Sequence, residues 1–305
     1  MGVWESTEKY DIEKGKKGKH LVGIIVMCVL LVVIAAFNMI RSFWEYEAGK
    51  QEYSKVEKEY VSVVDPVEKA TAPKASAEEE EAEEEEEESI WSEDQSIPNL
   101  SIAHDALAAK NPDYFCWLYI APTDVSYPVV KGSDNDYYLH HTFEGENNVN
   151  GCIYMDSQAW PDMNDYNIFI FGHNMRNGSM FGSLKHILND PQIALENPYF
   201  YLLQKNAVRK YHIYSVHVAA PSSDTFHNPA SEHEYEDYIN MVKEDSIVDM
   251  GVDVTTADRT VTLSTCSGTG AGKKRLVLHG KLVGIINPEK AGVSYNSVRA
   301  LSNEF

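Results

Sequence analysis

The rhythm of hydrophobic and polar positions changes along the chain. From Leu21 to Ile40 the residues carry no charge, and Asn38 is the only strongly polar one. A run of that length suits a helix crossing a bilayer. From Arg41 to about Val64 the chain is charged and can continue as helix. Pro66–Glu88 is Pro, Ala, Lys and then Glu. Such a segment cannot bury enough apolar surface to order itself, and its like charges extend it. Residues 41–96 therefore read as an extracellular spacer with a Glu-rich disordered tract, able to reach roughly 180 Å at ~3.3 Å per residue. From Ile97 to Phe305 the pattern becomes that of one folded domain built mostly of short strands. Strands are expected at Phe115–Ile120, Tyr127–Lys131, Gly151–Met155, Asn167–Phe171, Arg209–Ala219, Arg259–Thr265 and Arg275–Ile286, divided by Gly, Pro, Asn and Asp clusters. So many strands in this length point to a closed barrel or a sandwich. Helical spacing appears in three places. Ser101–Lys110 has Ser101 as an N-cap and ends at Asn111-Pro112-Asp113. Ser179–Leu188 carries a Met180, Leu184, Ile187 stripe. Ser231 and Glu234 form a capping box ahead of Tyr235, Tyr238, Ile239 and Val242. That last helix is expected to pack on the outside of the strands.

Charge orients the apolar run. Lys14, Lys16, Lys17 and Lys19 precede it and Arg41 follows it. The positive-inside rule then makes 1–20 a cytoplasmic N-terminus, 21–40 a transmembrane anchor, and everything beyond Arg41 extracellular. Trp44 and Tyr46 suit the outer interface. The run exceeds a usual signal-peptide core and no small-x-small cleavage site follows it, which favours an uncleaved anchor. The formal net charge of the 305 residues is −21, and ten of those charges lie in Glu78–Glu88. A chain this acidic lacks the basic footprint that nucleic acid requires. The four cysteines are Cys28, Cys116, Cys152 and Cys266. None has C-x-x-C spacing, so neither a zinc site nor a thioredoxin-like motif is indicated. Cys28 lies in the anchor. Cys116 and Cys152 fall in expected strands as core thiols, and a bridge between them is left open by the extracellular setting.

The chemistry concentrates in Thr262-Leu263-Ser264-Thr265-Cys266. A Gly-rich turn, Ser267–Gly272, follows, and Arg275 opens the next strand. A cation beside a thiol lowers its pKa and can stabilise an oxyanion. A nucleophilic cysteine also needs a histidine. Most of the eleven histidines fall on expected helices, in polar loops or at the cytoplasmic end. Two compete: His173, at the end of the strand Ile168–Phe171, and His279, on one strand face with Arg275 and Val277. Spacing alone does not choose between them.

These residues in this order resemble the sortases, cysteine transpeptidases of Gram-positive cell surfaces. Thr262–Cys266 is similar to the family's TLxTC signature, Arg275 to its arginine, and Phe171-Gly172-His173-Asn174 to its histidine motif. Asn111-Pro112-Asp113 with Trp117, Tyr127-Pro128-Val129-Val130, Asp134–Leu139 and the helix after Ser231 resemble class B. The resemblance covers about Ile97 to Ile286. It implies a closed sortase-type β-barrel of about eight strands, with an N-terminal helix and a helix inserted before the cysteine strand. It implies Cys266, His173 and Arg275 as catalytic residues and no metal or organic cofactor. Ser264 and Thr265 are candidates for an auxiliary or substrate-binding role; strand alternation puts Ser264 on one face with Thr262 and Cys266, where a strand residue hydrogen-bonded locally is the alternative. The implied partners are secreted proteins with an NPxTx or xPxTG sorting signal, cleaved at a Thr-Gly-type bond, and a peptidoglycan amine that receives them. Pilin polymerisation is the alternative acceptor chemistry. A non-catalytic membrane-tethered scaffold is the alternative from another class. A papain-like protease would place Cys before His, the reverse of the order here.

Overall fold

A computed structural model describes residues 2–63, 97–121, 123–266 and 274–287, with side chains from Val22 onward except that of Cys266. The Glu78–Glu88 tract and most of the Gly-rich turn, Ser267–Lys273, lie outside the described residues. The chain divides into two compact units, Met1–Ala48 and Gly49–Phe305.

Helix α1, Gly2–Tyr60, runs through the apolar segment. It is the one described helix long and apolar enough to cross a membrane. Its end belongs to the second unit. There Tyr53 and Val56 are buried, and the Tyr53 hydroxyl donates to the Gly151 carbonyl at 2.6 Å while accepting from the Phe143 amide at 3.2 Å. Strand β1, Val61–Val63, then pairs antiparallel with β2, Leu100–Ile102. The sequence reading placed Gly49–Val63 within the spacer, whereas the structure groups this stretch with the folded unit. Tyr53 and Val56 sit at helical i, i+3 spacing, so together they form a small apolar face despite their charged neighbours. Only Arg41–Ala48 separates the apolar run from the folded unit.

The short helix α2 spans His104–Lys110. Ser101 is not its cap but a strand residue of β2, because strand pairing with Ser62 uses the backbone that a cap would need. Then follow β3 (Tyr114–Ile120), β4 (Val125–Val130), α3 (Tyr137–His140), β5 (Ile153–Met155) and β6 (Asn167–His173). The helix expected over Ser179–Leu188 is shorter and broken. Met180 takes a left-handed conformation, φ 54°, a 3₁₀ turn covers Phe181–Leu184, and α4 is only Lys185–Asn189. Met180, Leu184 and Ile187 are all buried, so the apolar stripe was legible while its helical continuity was not. Next come α5 (Gln192–Glu196), β7 (Tyr199–Leu203), β8 (Val208–Ala219), α6 (Glu232–Glu244), β9 (Thr260–Cys266) and β10 (Arg275–Ile286). The sequence reading omitted β7, whose Tyr-Phe-Tyr-Leu-Leu run lacks polar alternation because all but its first residue are buried.

Eight strands close into a barrel in the order β10-β8-β7-β3-β4-β5-β6-β9. The β4–β5 and β6–β9 pairs are parallel, and the other barrel pairings are antiparallel. Inward positions such as Ile168, Ile170, Val261, Leu263, Leu276 and Leu278 are buried apolar. Helix α6 lies on the outer face, as its pattern predicts. Ser231 caps it by accepting from the Glu234 amide at 3.3 Å, and Glu234 reaches back to the Ala230 amide at 2.9 Å. Tyr235, Tyr238, Ile239 and Val242 of α6 form a satellite core with Tyr214 and Val254.

Candidate active site

Register places the candidate residues. In the parallel β6–β9 pair, His173 is the Cα partner of Cys266, Phe171 of Ser264 and Phe169 of Thr262. In the antiparallel β9–β10 pair, Ser264 is opposite Val277 and Thr262 opposite His279. Continuing that register by two residues sets Arg275 opposite Cys266. Three strands thus bring His173, Cys266 and Arg275 to one row at the end of one sheet face, since alternate residues share a face.

Gly172 makes the histidine end possible. A Cβ there would collide with Ile153 and with the Phe181 ring, which packs directly on the strand. His173 is half-buried. Its Nε2 lies 2.8 Å from the Leu139 carbonyl. A carbonyl only accepts, so Nε2 carries the proton and Nδ1 is the nitrogen left for chemistry. Burial lowers the imidazole pKa below its ordinary range. The Leu139 bond opposes this shift, and His140 adds to it. Gly151, at φ 53°, completes the cradle: a Cβ there would stand 2.7 Å from the Tyr138 carbonyl, 2.8 Å from the Leu139 carbonyl and 3.1 Å from His173 Cδ2.

On the other flank, Arg275 pairs with Ala219 of β8. Its guanidinium carbon lies over the Phe226 ring, 5.0 Å from the centroid. Thr265 ties the two central strands together just below this row. Its Oγ1 accepts from the Leu276 amide at 2.9 Å and donates to the Leu276 carbonyl at 3.4 Å. Ser264 is fully buried, with its hydroxyl 3.5 Å from the Thr265 carbonyl.

The rival histidine has a different setting. His279 is fully buried beneath α6, with Nδ1 2.9 Å from Thr262 Oγ1. That hydroxyl donates to Asn167 Oδ1 at 2.8 Å, so His279 Nδ1 is the donor to it. The ring stacks on His217 at 5.1 Å and meets Tyr214 and Tyr238 at 5.8 and 6.0 Å. Burial holds its pKa well below the ordinary value. It is a core histidine, one strand pairing away from the strand of Cys266 but four residues down. Cys116 and Cys152 are both buried and free, so the bridge left open by the sequence is not formed. Burial pushes the Cys152 thiol up to about 12 and Cys116 higher still. Thiols so protonated are inert. Leu139, Gly151 and Phe226 carry no sequence signal of a role here, because they arrive through tertiary packing.

A cysteine in register with a histidine at the end of two barrel strands is an arrangement suited to acyl transfer through a thioester. A family model described as the sortase domain matches residues 118–283. Sortase B of Listeria monocytogenes is 35% identical over 181 residues, covering 58% of this chain and 72% of that protein. Sortase B of Staphylococcus aureus is 21% identical over 274 residues, covering 87% and 97%. Among solved structures, sortase B from B. anthracis superposes with a TM-score of 0.59 at 26% identity, covering 79% of this chain and 99% of that one. Clostridium perfringens sortase B superposes with a TM-score of 0.54 at 33% identity, covering 60% and 99%. The chain belongs to the sortase family, as a class B sortase, and is a cysteine transpeptidase of the kind that anchors surface proteins.

Proposed function

We propose that this enzyme cleaves the sorting signal of secreted proteins, of the NPxTx or xPxTG type, at a Thr-Gly-type bond and joins the new carboxyl end to a peptidoglycan amine. The Cα pairing of His173 with Cys266 carries this reading. Cys266 Sγ attacks the scissile carbonyl, and the single proton shared by the thiol–imidazole pair passes through His173 to the leaving amine. The C–N bond breaks and a thioacyl bond remains. An incoming amine then attacks, His173 takes its proton, and the C–S bond breaks to restore the pair. The burial that lowers the His173 pKa favours the neutral imidazole that this second step uses as base. Arg275 stabilises the oxyanion or orients the substrate backbone. Thr265 and Ser264 support this row, Thr265 by clamping β9 to β10.

The lysines before the apolar run support an N-terminus inside the cell, a single span at 21–40, and a catalytic domain outside. That domain consists of Gly49–Val63 together with the chain from Ile97 onward. The test is incubation of the full chain in detergent with fluorogenic sorting-signal peptides, with mass spectrometry of the thioacyl-enzyme. Adding triglycine or a stem-peptide amine is expected to give ligated product. Absence of any Cys266-dependent cleavage across the panel would overturn the reading. Cleavage with ligation only to a lysine of another protein subunit would assign pilin polymerisation instead.

A further inference from the structure

The segment between β8 and β9 does more than cover the barrel. After Ala219, the β8 partner of Arg275, the chain turns back through a 3₁₀ turn, Asp224–Phe226. That turn is pinned from beneath. The Tyr238 hydroxyl of α6 donates to the Thr225 carbonyl at 3.2 Å, and Thr225 Oγ1 lies 3.4 Å from His217 Nε2. Thr225 is buried. Phe226 is thereby held with its ring 6.2 Å from that of Phe169 on β6 and 5.0 Å from the Arg275 guanidinium carbon on β10. It reaches across β9, where Ser264 is fully buried. Among the described residues no carboxylate pairs with Arg275, and its Nε is buried without a hydrogen-bond partner.

We propose that Phe226 is the positioning residue for Arg275, its ring face holding the guanidinium in the row of Cys266 and His173. The proposal rests on the catalytic reading of Arg275. A ring face attracts a cation through its quadrupole, whereas the N–H donors of a guanidinium radiate from the edge of its plane. A carboxylate in this place would occupy those donors and offset the charge. An aromatic face steers the cation and leaves the terminal N–H donors, beyond the buried Nε, for the substrate oxygen. The inserted turn and α6 thus act on chemistry through one ring.

The test uses the full-length enzyme in detergent, with the fluorogenic peptide that gives the fastest cleavage. Phe226 is replaced by mono-, di- and trifluorinated phenylalanine, which weaken the quadrupole while keeping the ring's shape. A stepwise fall in kcat is expected, reaching about tenfold at the last step. Phe226→Leu is expected to lose a similar factor and Phe226→Trp to retain activity. In an Arg275→Ala background, Phe226→Leu is expected to add no further loss. A flat fluorination series, or an equal Phe226→Leu loss with and without Arg275, would overturn the proposal while leaving the role of Arg275 intact. Full activity of Arg275→Ala would instead overturn the catalytic reading of Arg275, and this proposal with it.

Discussion

Two halves of one sheet face carry the same kinds of residue and do different things. In the lower half, Thr262 and His279 lie under α6, with His217 and Tyr238 against them. In the upper half, His173, Cys266 and Arg275 form a row beyond the helix's cover. Burial lowers the pKa of both His279 and His173, so a depressed value alone does not mark a catalytic group. The distinction lies in access and register. His279 also keeps one nitrogen, Nε2, without a hydrogen-bond partner, but the ring is fully buried among other rings and a hydroxyl. His173 is only half-buried, with Nε2 tied to a backbone carbonyl, and it stands in register with Cys266. A spare nitrogen sealed in a core holds that core together, and one at a strand end beside a cysteine can move a proton.

The comparison can be broken most directly from the upper half. Cys266→Ala is expected to abolish cleavage of sorting-signal peptides while leaving the thermal transition unchanged, read by peptide assay and calorimetry. His173→Gln should cost about 10²–10⁴-fold in kcat, and a loss under fivefold would return His279 to contention. The lower half should respond in stability instead. His279→Ala, which empties a fully buried site, is expected to cost about 2–4 kcal/mol in urea unfolding. The folded fraction should keep a kcat within twofold of native. The pH dependence follows from the same burial. The folded pKa of His279 lies below its unfolded value of about 6.5, so the unfolded state binds the extra proton. Its contribution is present above pH 6.5 and is lost as pH falls, at about 1.4 kcal/mol per pH unit. His279→Gln should flatten that slope by one proton, measured as unfolding free energy between pH 7 and 5.

The smallest effect concerns the support behind His173. Tyr53→Phe removes the hydroxyl that holds the Gly151 carbonyl and the Phe143 amide. Gly151 in turn packs beside Leu139 and His173. About a two- to fivefold fall in kcat, with KM unchanged, is expected from the lost hydrogen bond. Tyr127→Phe, whose hydroxyl accepts from the Met180 amide at 3.0 Å, serves as the comparison on the neighbouring side.

Much of this was legible in residues alone. Seven of the eight barrel strands follow from apolar runs between turn residues, and the α6 cap follows from Ser231 and Glu234. The strand ending in Cys266 and the arginine opening the next one were visible as a motif. What was missed has a common physical form. Ser101 looked like a cap until β1 took its backbone into a ribbon. Met180 looked helical until a left-handed φ broke the run. The end of α1 looked like a spacer because two buried side chains among charged neighbours leave little trace in composition.

Hydrophobic periodicity, charge asymmetry and short motifs are local quantities, and they determined the apolar run, the strand-rich domain and the set of candidate residues. The alignment of His173 with Cys266, the burial of Ser264 and His279, and the approach of Phe226 to Arg275 depended on the register of three strands and on where an insert returns. Those are long-range pairings, and a one-dimensional pattern holds no information about which strand lies beside which until the barrel closes.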